Sequence, residues 1–540
     1  MKKVISCLLV CVLLVSIFFV GCQKDDAVQY DGTKIALSDN GITVDGENIT
    51  NDNTQAVYSE NDIVFYLEGQ DFKYGEGTKD EEHSQAEADK HTVVHITKPG
   101  QYVLSGELSA GQVAVDLGDE AETDPNAVVT LVLNDVDITC TVAPAVIFYN
   151  VYECGASDEE TATKDVDTSK AGANVIIADG TENNINGSHV AKIYKSYELN
   201  EEGTEVVDSK KLHKYDAAFY SKKTMNVNGG EKGDGTLNIT ADNEGLDSEL
   251  HLTINGGNIN IESGNDGINT NEDNVSVTTI NGGTLNILVT GSTGEGDGID
   301  SNGWLVINGG NVNCNACGIS GDAGIDSDKG IYINGGSVVA SGNMLDRIAG
   351  GDQTYVVFNF ASKQKGGSIY TLKNSDGKEI GNYKPVNDFT YLIIAGSQLA
   401  EGEYSLLKDG KEVSVATMSQ GGQMQRPDNM EMPDGERPEM PEDMTIPEGF
   451  EPPEGMENMT PPENMGERPQ KPDDMGERPE KPEGFEPPEG MEDMTHTEGM
   501  MGGKGPMNGT QNMENLSTTF TIKKGENQIF VASEENIKEE

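Results

Sequence analysis

Hydrophobic and polar residues alternate in short runs from about residue 91 onward, which is the pattern of half-buried β-strands. Runs such as Val94-His-Ile96 and Val129-Thr-Leu-Val-Leu133 are separated by turns rich in Gly, Asp and Asn. Weaker strand patterns precede them at 34–37, 42–44 and 63–67. The pattern predicts an all-β chain built from many short strands.

One sequence unit recurs between positions 226 and 336. The tripeptide Asn-Gly-Gly has its Asn at 228, 255, 281, 308 and 334, so that its copies are almost evenly spaced. A second turn lies between each tripeptide and the next. Its four copies read Glu244-Gly-Leu-Asp247, Asp266-Gly-Ile-Asn269, Asp297-Gly-Ile-Asp300 and Ala323-Gly-Ile-Asp326. Two turns in a fixed order indicate a repeat fold.

A repeat of two or three short strands cannot bury its apolar side alone, so successive copies must stack. The interval between Asn-Gly-Gly copies is 26 or 27 residues. At a rise of about 3.3 Å per residue, a unit of this length makes one circuit of a parallel β-helix and is too short for a β-propeller blade. Asn at a fixed corner can pair its amide with the copies above and below. The sequence at 294–300 is also typical of calcium-binding β-rolls, but the nine-residue period of that fold is not sustained.

Segments of different composition predict the domain boundaries. They are a lipoprotein signal peptide at 1–22, a polar segment with weak strands at 23–90, a parallel β-helix at 91–352, a β-cap at 353–418, a low-complexity loop at 419–516 and final cap strands at 517–534. The cap is predicted from buried-type runs at 356–358 and 391–394, and it would cover the open end of the repeats.

Residues 424–513 hold 15 of the 19 Met and 16 of the 20 Pro. A stretch so rich in Pro, Glu and Gly cannot bury enough surface to offset the entropy of ordering. Strand patterns return at Thr518-Thr-Phe-Thr-Ile522 and Gln528-Ile-Phe-Val531. We therefore expect a disordered loop inserted between two cap strands, in which the irregularly spaced Met favour a solvated spacer over a Cu(I) site.

The first residues have the form of a secretory signal. Lys2 and Lys3 precede an apolar run that ends in Phe19-Val20-Gly21-Cys22, followed by a polar, acidic stretch. Cys22 is similar to a lipobox cysteine, which implies cleavage before it, lipidation and an anchor on the outer face of the cell membrane. The alternative is a plain cleaved signal with an incidental cysteine.

The chain carries 37 Lys+Arg against 93 Asp+Glu, a formal charge of −56. This excludes most nucleic-acid and anionic-membrane binding, because phosphate contacts need a local excess of cations. An anionic partner would need a bridging cation. Outside the signal and Cys22 there are four cysteines, and the lone C-x-x-C pair Cys314 and Cys317 gives little support for zinc or redox chemistry.

Aspartates of the second turn are the candidate metal ligands. Because the same turn in successive copies lies about 4.8 Å away, the carboxylates repel one another unless a cation lies among them. Oxygen ligands of flexible geometry suit Ca²⁺ over zinc or copper. The densest candidates are Asp297, Asp300, Asp322, Asp326 and Asp328, followed by Asp266 and Asp247. The alternative is that they are solvated turn residues.

No motif of a serine hydrolase, zinc protease or P-loop enzyme is present. Elimination on an acidic sugar needs a cationic base beside a calcium-bound carboxylate, and the nearby candidates are Lys232, Lys329 and Arg347. Each is more simply interpreted as a solvated surface charge.

Several blocks in a fixed order resemble a known bacterial family. They are Thr97-Lys-Pro-Gly-Gln-Tyr-Val-Leu-Ser-Gly106, Val129-Thr-Leu-Val-Leu-Asn134, Ala143-Pro-Ala145, Asp179-Gly-Thr-Glu-Asn183, Asp216-Ala-Ala-Phe-Tyr220 and the repeats. Together they are similar to the carbohydrate-binding domain family typified by a clostridial surface protein that binds polygalacturonate. The similarity spans about residues 30–417 and the last strands. Insertions at 153–172 and 195–214 depart from it.

The resemblance implies a right-handed parallel β-helix akin to family 9 pectate lyases, with bound calcium. It adds Asp216 to the turns where calcium is expected, beside Asp247, Asp266, Asp297 and Asp300. It also implies binding to acidic plant polysaccharide, with cellulose as a further ligand of the type.

We therefore expect a monomeric surface lipoprotein that binds acidic, pectin-like polysaccharide through Ca²⁺ without cleaving it. Two alternatives stay open at this point. One is a polysaccharide lyase of the pectate lyase type, and the other is a structural or adhesive surface protein whose ligand is not a sugar.

Overall fold

A computed structural model describes residues 28–155, 157–200, 202–418 and 516–533. The predicted signal peptide, Cys22 and the predicted Met/Pro/Glu-rich loop, apart from its last residue, lie outside these ranges and stay predictions. The described residues are nearly all β, with large parallel sheets. In the part of the chain that the structure describes, no helix combines the length and the apolar character needed to cross a membrane.

The N-terminal part contains fourteen strands in the described residues, one four-residue α-helix and one 3-10 helix at Asp119–Thr123. In chain order they are β1 Thr33–Leu37, β2 Thr43–Val44, β3 Glu47–Asn48, β4 Val57–Glu60, β5 Gly75–Glu76, α1 Gln85–Ala88, β6 Thr92–Ile96, β7 Gly100–Leu108, β8 Gly111–Asp116, β9 Val129–Thr139, β10 Val146–Asn150, β11 Ala173–Ile177, β12 Glu182–Gly187, β13 Val190–Leu199 and β14 Val206–Tyr215.

The repeat region follows with shorter strands. They are β15 Ala217–Ser221, β16 Met225–Gly229, β17 Thr236–Ala241, β18 Glu244–Ser248, β19 His251–Ile254, β20 Asn258–Ser263, β21 Ile268–Thr270, β22 Val277–Ile280, β23 Thr284–Val289, β24 Trp304–Ile307, β25 Asn311–Asn315, β26 Gly330–Ile333, β27 Ser337–Gly342 and β28 Ile348–Gly350.

The last strands form the C-terminal part. They are β29 Tyr355–Gln364, β30 Tyr370–Asn374, β31 Glu379–Tyr383, β32 Phe389–Ala395, β33 Gly402–Lys408, β34 Lys411–Glu412, β35 Val415–Thr417, β36 Phe520–Ile522 and β37 Glu526–Val531. The strand predicted at 63–67 is absent, because no neighbouring strand lies beside it and Leu67 forms only a single bridge with His83.

Three series of parallel strands organise the molecule up to β28. The first runs through β1, β7, β9, β11, β16, β19, β22, β24, β26 and β28. The second runs through β9, β12, β17, β20, β23, β25 and β27. The third runs through β6, β8, β10, β15, β18 and β21. Each repeat thus contributes one strand to the first series and one to the second, and the earlier repeats contribute one to the third as well.

Equivalent side chains of successive repeats meet in register. Ile239, Ile261, Ile287 and Cys314 are paired along the second series and are at most 3% exposed. Such a ladder buries the alternate apolar positions that the sequence pattern marks. It explains why the regular interval between copies specifies stacking.

The Asn-Gly-Gly corners form a polar ladder on the exposed side. The side-chain amide nitrogens of Asn255, Asn281, Asn308 and Asn334 each donate to the amide oxygen of the preceding repeat's Asn at 2.8 to 2.9 Å. Gly283 has a φ of +85°, and a Cβ there would lie 2.6 Å from the carbonyl oxygen of Gly257. The corner therefore requires glycine.

The C-terminal strands close the repeat region with a separate core. Strand β32 pairs antiparallel with both β27 and β29, and β37 pairs in parallel with β29. Strands β30, β31, β33, β34 and β36 form a five-stranded sheet. The runs at 356–358 and 391–394, predicted as cap strands, lie in β29 and β32.

A three-stranded antiparallel sheet stands apart from these series. It joins the hairpin β13–β14 to the short strand β5 of the N-terminal segment. The hairpin contains the insertion at 195–214, so this departure from the family pattern has become a structural element of its own.

Candidate functional site

The acidic turns of successive repeats lie one above another, as their recurrence predicts. The backbone N–H of Gly245 donates to the carbonyl of Asp266, that of Gly267 to Asp297 and that of Gly298 to Ala323, each at 3.0 Å. The first position of every turn therefore stacks on the first position of the next.

Three carboxylates converge at this stack. One carboxylate oxygen from each of Asp297, Asp300 and Asp326 lies within 4.8 Å of the other two, and the three side chains are half-buried. Among the residues that the structure describes, no Lys, Arg or His nitrogen comes within 4.0 Å of them. Their negative charges have no neutralising side chain in direct contact.

The environment strongly favours the neutral form of these acids. Burial, reinforced by the neighbouring carboxylates of Asp266, Asp326 and Asp300, raises the pKa of Asp297 well above its usual range. Burial and the Asp266 and Asp328 charges raise the pKa of Asp300 to about 7. Burial and the Asp346 and Asp300 charges raise the pKa of Asp326 to about 7. A bound cation would remove this penalty.

Asp266 and Asp322 hold the backbone around the cluster. The Asp266 carboxylate accepts from the backbone N–H of Asp297 at 2.6 Å, although burial still raises its pKa to about 7. The Asp322 carboxylate accepts from the backbone N–H of Gly296 at 2.8 Å and from the Ser320 hydroxyl. These two predicted ligands position the turn that carries Asp297.

Three other predicted ligands stand away from the converging oxygens. Asp247 is fully buried, and both its carboxylate oxygens accept from the Asn271 amide, at 2.9 and 3.0 Å. Asp216 uses its backbone carbonyl to accept from the backbone N–H of Glu244 at 3.1 Å. Asp328 is exposed, at the edge of the group.

Asp346, which the repeat pattern does not mark, belongs to the same acidic group. Burial raises its pKa, the nearby Asp328 charge adds to the rise, and its carboxylate accepts from the backbone N–H of Ser327 at 3.2 Å. It follows the last repeat, where the Asp-Gly-Ile-Asp pattern is missing. One signal in the sequence could have marked this turn. An Asn stands directly before the acidic turn in two repeats, as Asn243 and Asn265, and Asn343 stands at the corresponding place before Asp346.

An orphaned amide oxygen lies in the neighbouring turn. Asn269 is 7% exposed, and its amide nitrogen donates to Glu244 and Asn271, at 3.0 Å each. Its amide oxygen is buried and has no hydrogen-bond partner among the described residues. A buried acceptor without a donor is costly unless a cation or water meets it.

The arrangement fits a hard cation held by oxygen ligands. Asp297, Asp300 and Asp326 can supply carboxylate oxygens, and turn residues of the same stack can supply amide and carbonyl oxygens. The C-x-x-C pair contributes nothing comparable, because Cys314 and Cys317 are buried free thiols in the core.

The chain is similar to a known protein over about a third of its length. A curated carbohydrate-binding domain-containing protein of Acetivibrio thermocellus is 28% identical over 171 residues, which are 32% of this chain and 45% of that protein. The alignment therefore spans less than half of the relative's length.

A solved structure is also similar over part of the chain. It is the polysaccharide lyase-like protein from C. thermocellum, studied as a gadolinium derivative, which is 20% identical with a TM-score of 0.32. The match covers 59% of this chain and 99% of that one.

A family model of carbohydrate-binding domain-containing proteins matches residues 90–376, which include every acidic turn and, apart from β1, the three series of strands. Since the matched residues are more than half of the chain, the chain belongs to the carbohydrate-binding domain-containing protein family.

Proposed function

We propose that this chain is a surface lipoprotein that binds acidic, polygalacturonate-like polysaccharide through Ca²⁺ and does not cleave it. Carbohydrate as the partner follows from the family. The calcium, the acidic sugar and the lipid anchor are the further parts of the proposal, with Cys22 as the site of lipidation and the outer face of the cell membrane as the location.

The convergence of Asp297, Asp300 and Asp326 within 4.8 Å carries the proposal. Three half-buried carboxylates without a contacting cation are unfavourable alone and favourable around a divalent ion. Calcium would supply positive charge shared between the aspartates and a uronate carboxylate. The orphaned amide oxygen of Asn269 adds an unused acceptor in the neighbouring turn.

The charge of the whole chain supports a bridging role for the ion. At −56, the protein repels a polyuronate unless a cation lies between them. The calcium requirement of sugar binding then follows directly from electrostatics.

We further propose that the three strand series are the faces of a right-handed parallel β-helix of the family 9 pectate lyase type, acting as a monomer. The in-register parallel pairing along each series supports this interpretation. A pectin-like chain would lie along the stacked turns. Cellulose remains a second candidate sugar on the resemblance alone.

A lyase is the second candidate function. Of the three candidate bases, Lys329 lies beside the acidic group. Burial and the Asp273 charge raise the pKa of Asp328, and the Lys329 charge partly offsets that rise. Its ammonium also lies 4.0 Å from Glu159. Release of an unsaturated, ultraviolet-absorbing product from polygalacturonate would establish the lyase.

Affinity electrophoresis in a polygalacturonate gel tests the binding proposal. We expect retardation with calcium that disappears with chelator and in the double variant D297N/D300N. The control D376N/E403Q changes the charge equally at two exposed positions and should keep full retardation. No retardation in any condition refutes polyuronate binding, and calcium-dependent stability without it would favour the structural or adhesive alternative.

A further inference from the structure

A cleft lies between the N-terminal segment and hairpin β13–β14. Its volume is about 550 Å³. The residues that line it include Tyr66, Phe72, Glu82, Tyr194 and Glu205. The part of the wall before residue 90 precedes the region matched by the family model.

Direct contacts between the two walls hold the cleft open. Strand β5 pairs with β13, so that Gly75 faces Ile193 and Glu76 faces Lys192. The Tyr194 hydroxyl donates to the Glu76 carboxylate at 2.7 Å, and the Lys192 ammonium lies 3.1 Å from it. The cleft is therefore formed before any ligand arrives.

Aromatic rings and carboxylates dominate the lining. Of these, Tyr66 is buried, with 4% of its surface exposed, whereas Phe72 is 46% exposed. Glu76 is engaged by Tyr194 and Lys192, but Glu82 and Glu205 make no ion pair within the described residues. None of the lining residues is Lys, Arg or His.

This combination selects for positive charge. The faces of aromatic rings attract ammonium groups, and the two uncompensated carboxylates add to that attraction. Phe72 shows this attraction within the chain, because the ammonium of Lys73 lies 5.9 Å from its ring centre, and a ligand ammonium has to displace that contact or use the other face of the ring. A uronate carboxylate would be repelled, which distinguishes this cleft from the acidic turns.

We propose that this cleft binds an ammonium group carried on a sugar or polyol, such as a glucosamine unit of a deacetylated polysaccharide. The ammonium lies against Phe72 and the Glu82 and Glu205 carboxylates. Gln70 and Thr204, which also line the cleft, supply polar contacts for hydroxyl groups. Binding here needs no calcium.

Isothermal titration of the full-length chain tests the proposal at about 0.15 M salt, which screens diffuse attraction to the acidic surface. The probes are glucosamine tetrasaccharide, its fully N-acetylated counterpart and choline. Each is titrated with calcium and with chelator. We expect the amine-bearing sugar to bind equally in both and the acetylated sugar not to bind, while choline binding would show that the ammonium suffices without the sugar.

Two variants with matched controls locate the site. We expect E82Q/E205Q to lose about tenfold in affinity and F72A roughly threefold to tenfold. T204K places a cation in the cleft and should abolish binding, while T519K makes the same change at an exposed position elsewhere and should not. D376N/E403Q should also bind normally, and circular dichroism checks that every variant is folded.

Several outcomes would overturn the proposal. They are equal affinity for the acetylated sugar, an undiminished affinity in T204K, an equal loss in T519K, or no binding of either amine. Because the probes are tested in chelator, a failure of the calcium-dependent proposal for the acidic turns would leave these results unaffected.

Discussion

Asp297, Asp300 and Asp326 show how a residue can be unfavourable for folding and still belong to the fold. Each is placed by hydrogen bonds of its own backbone to neighbouring turns, which the repeat fixes without regard to the charge of the side chain. The carboxylates then meet within 4.8 Å and their pKa values rise because of burial and mutual repulsion. The folded chain bears this cost at neutral pH unless a cation offsets it.

The substitution D300N should therefore have opposite effects with and without metal. In chelator, we expect a higher melting temperature, because one of the repelling charges is gone. With calcium, affinity should fall at least about tenfold, or about 1.4 kcal/mol, because ligand charge governs calcium affinity. Thermal unfolding and calorimetric titration measure the two effects.

The exposed substitution D376N serves as its control and should change neither quantity. A lower melting temperature of D300N in chelator, or an unchanged calcium affinity, would show that Asp300 is an ordinary turn residue.

At the scale of the element, strand β23 shows how inward and outward side chains alternate. Ile287 is 1% exposed and lies in register between Ile261 and Cys314, whereas its neighbour Leu288 is half-buried on the opposite face. Alternation along the strand thus separates core from surface within one residue.

We expect I287A to lower the free energy of unfolding by about 2 to 5 kcal/mol, because it removes buried methyl groups and leaves a cavity in a close-packed ladder. The matched neighbour L288A should cost less than about 1 kcal/mol. Urea unfolding of both variants provides the comparison. Similar losses would contradict the inward ladder as the main source of stability in this strand.

At the scale of the whole molecule, the raised pKa values predict how stability depends on pH. Asp266, Asp300 and Asp326 titrate at about 7 in the folded chain and near 4 when unfolded. Their contribution is fully present below the unfolded pKa and is lost as the pH rises through the folded pKa. In chelator, the melting temperature should therefore fall between about pH 4 and 7.

His189 acts in the same range and has to be separated. Burial lowers its pKa, but Asp242 and Glu81 raise it above the usual value, so its contribution is also lost as the pH rises. The variant D297N/D300N removes the titration of two acids of the group and should reduce the slope in chelator, leaving the parts due to Asp266, Asp326 and His189. Saturating calcium should flatten it in the unmodified chain, and a full slope in the double variant would count against the acidic turns as its cause.

The positions of the strands and turns were predictable from sequence because they depend on local properties. Alternation decides which side chains face the core, and the Gly of Asn-Gly-Gly supplies a backbone angle that other residues rarely adopt. The nearly even spacing of the Asn-Gly-Gly corners then sets which turns stack. Asp297, Asp300 and Asp326 could be named for this reason.

The tertiary structure alone decided which acids meet. The first turn positions are spaced unevenly, since the step from Glu244 to Asp266 is much shorter than the step from Asp266 to Asp297. The Asn271 amide donates to both carboxylate oxygens of Asp247, and Asp346 joins the acidic group although it follows the last repeat. The cleft beside hairpin β13–β14 likewise joins side chains that are distant in the sequence. Sequence alone determined the repeat because its pattern is local, whereas these contacts depend on insertions whose paths no period specifies.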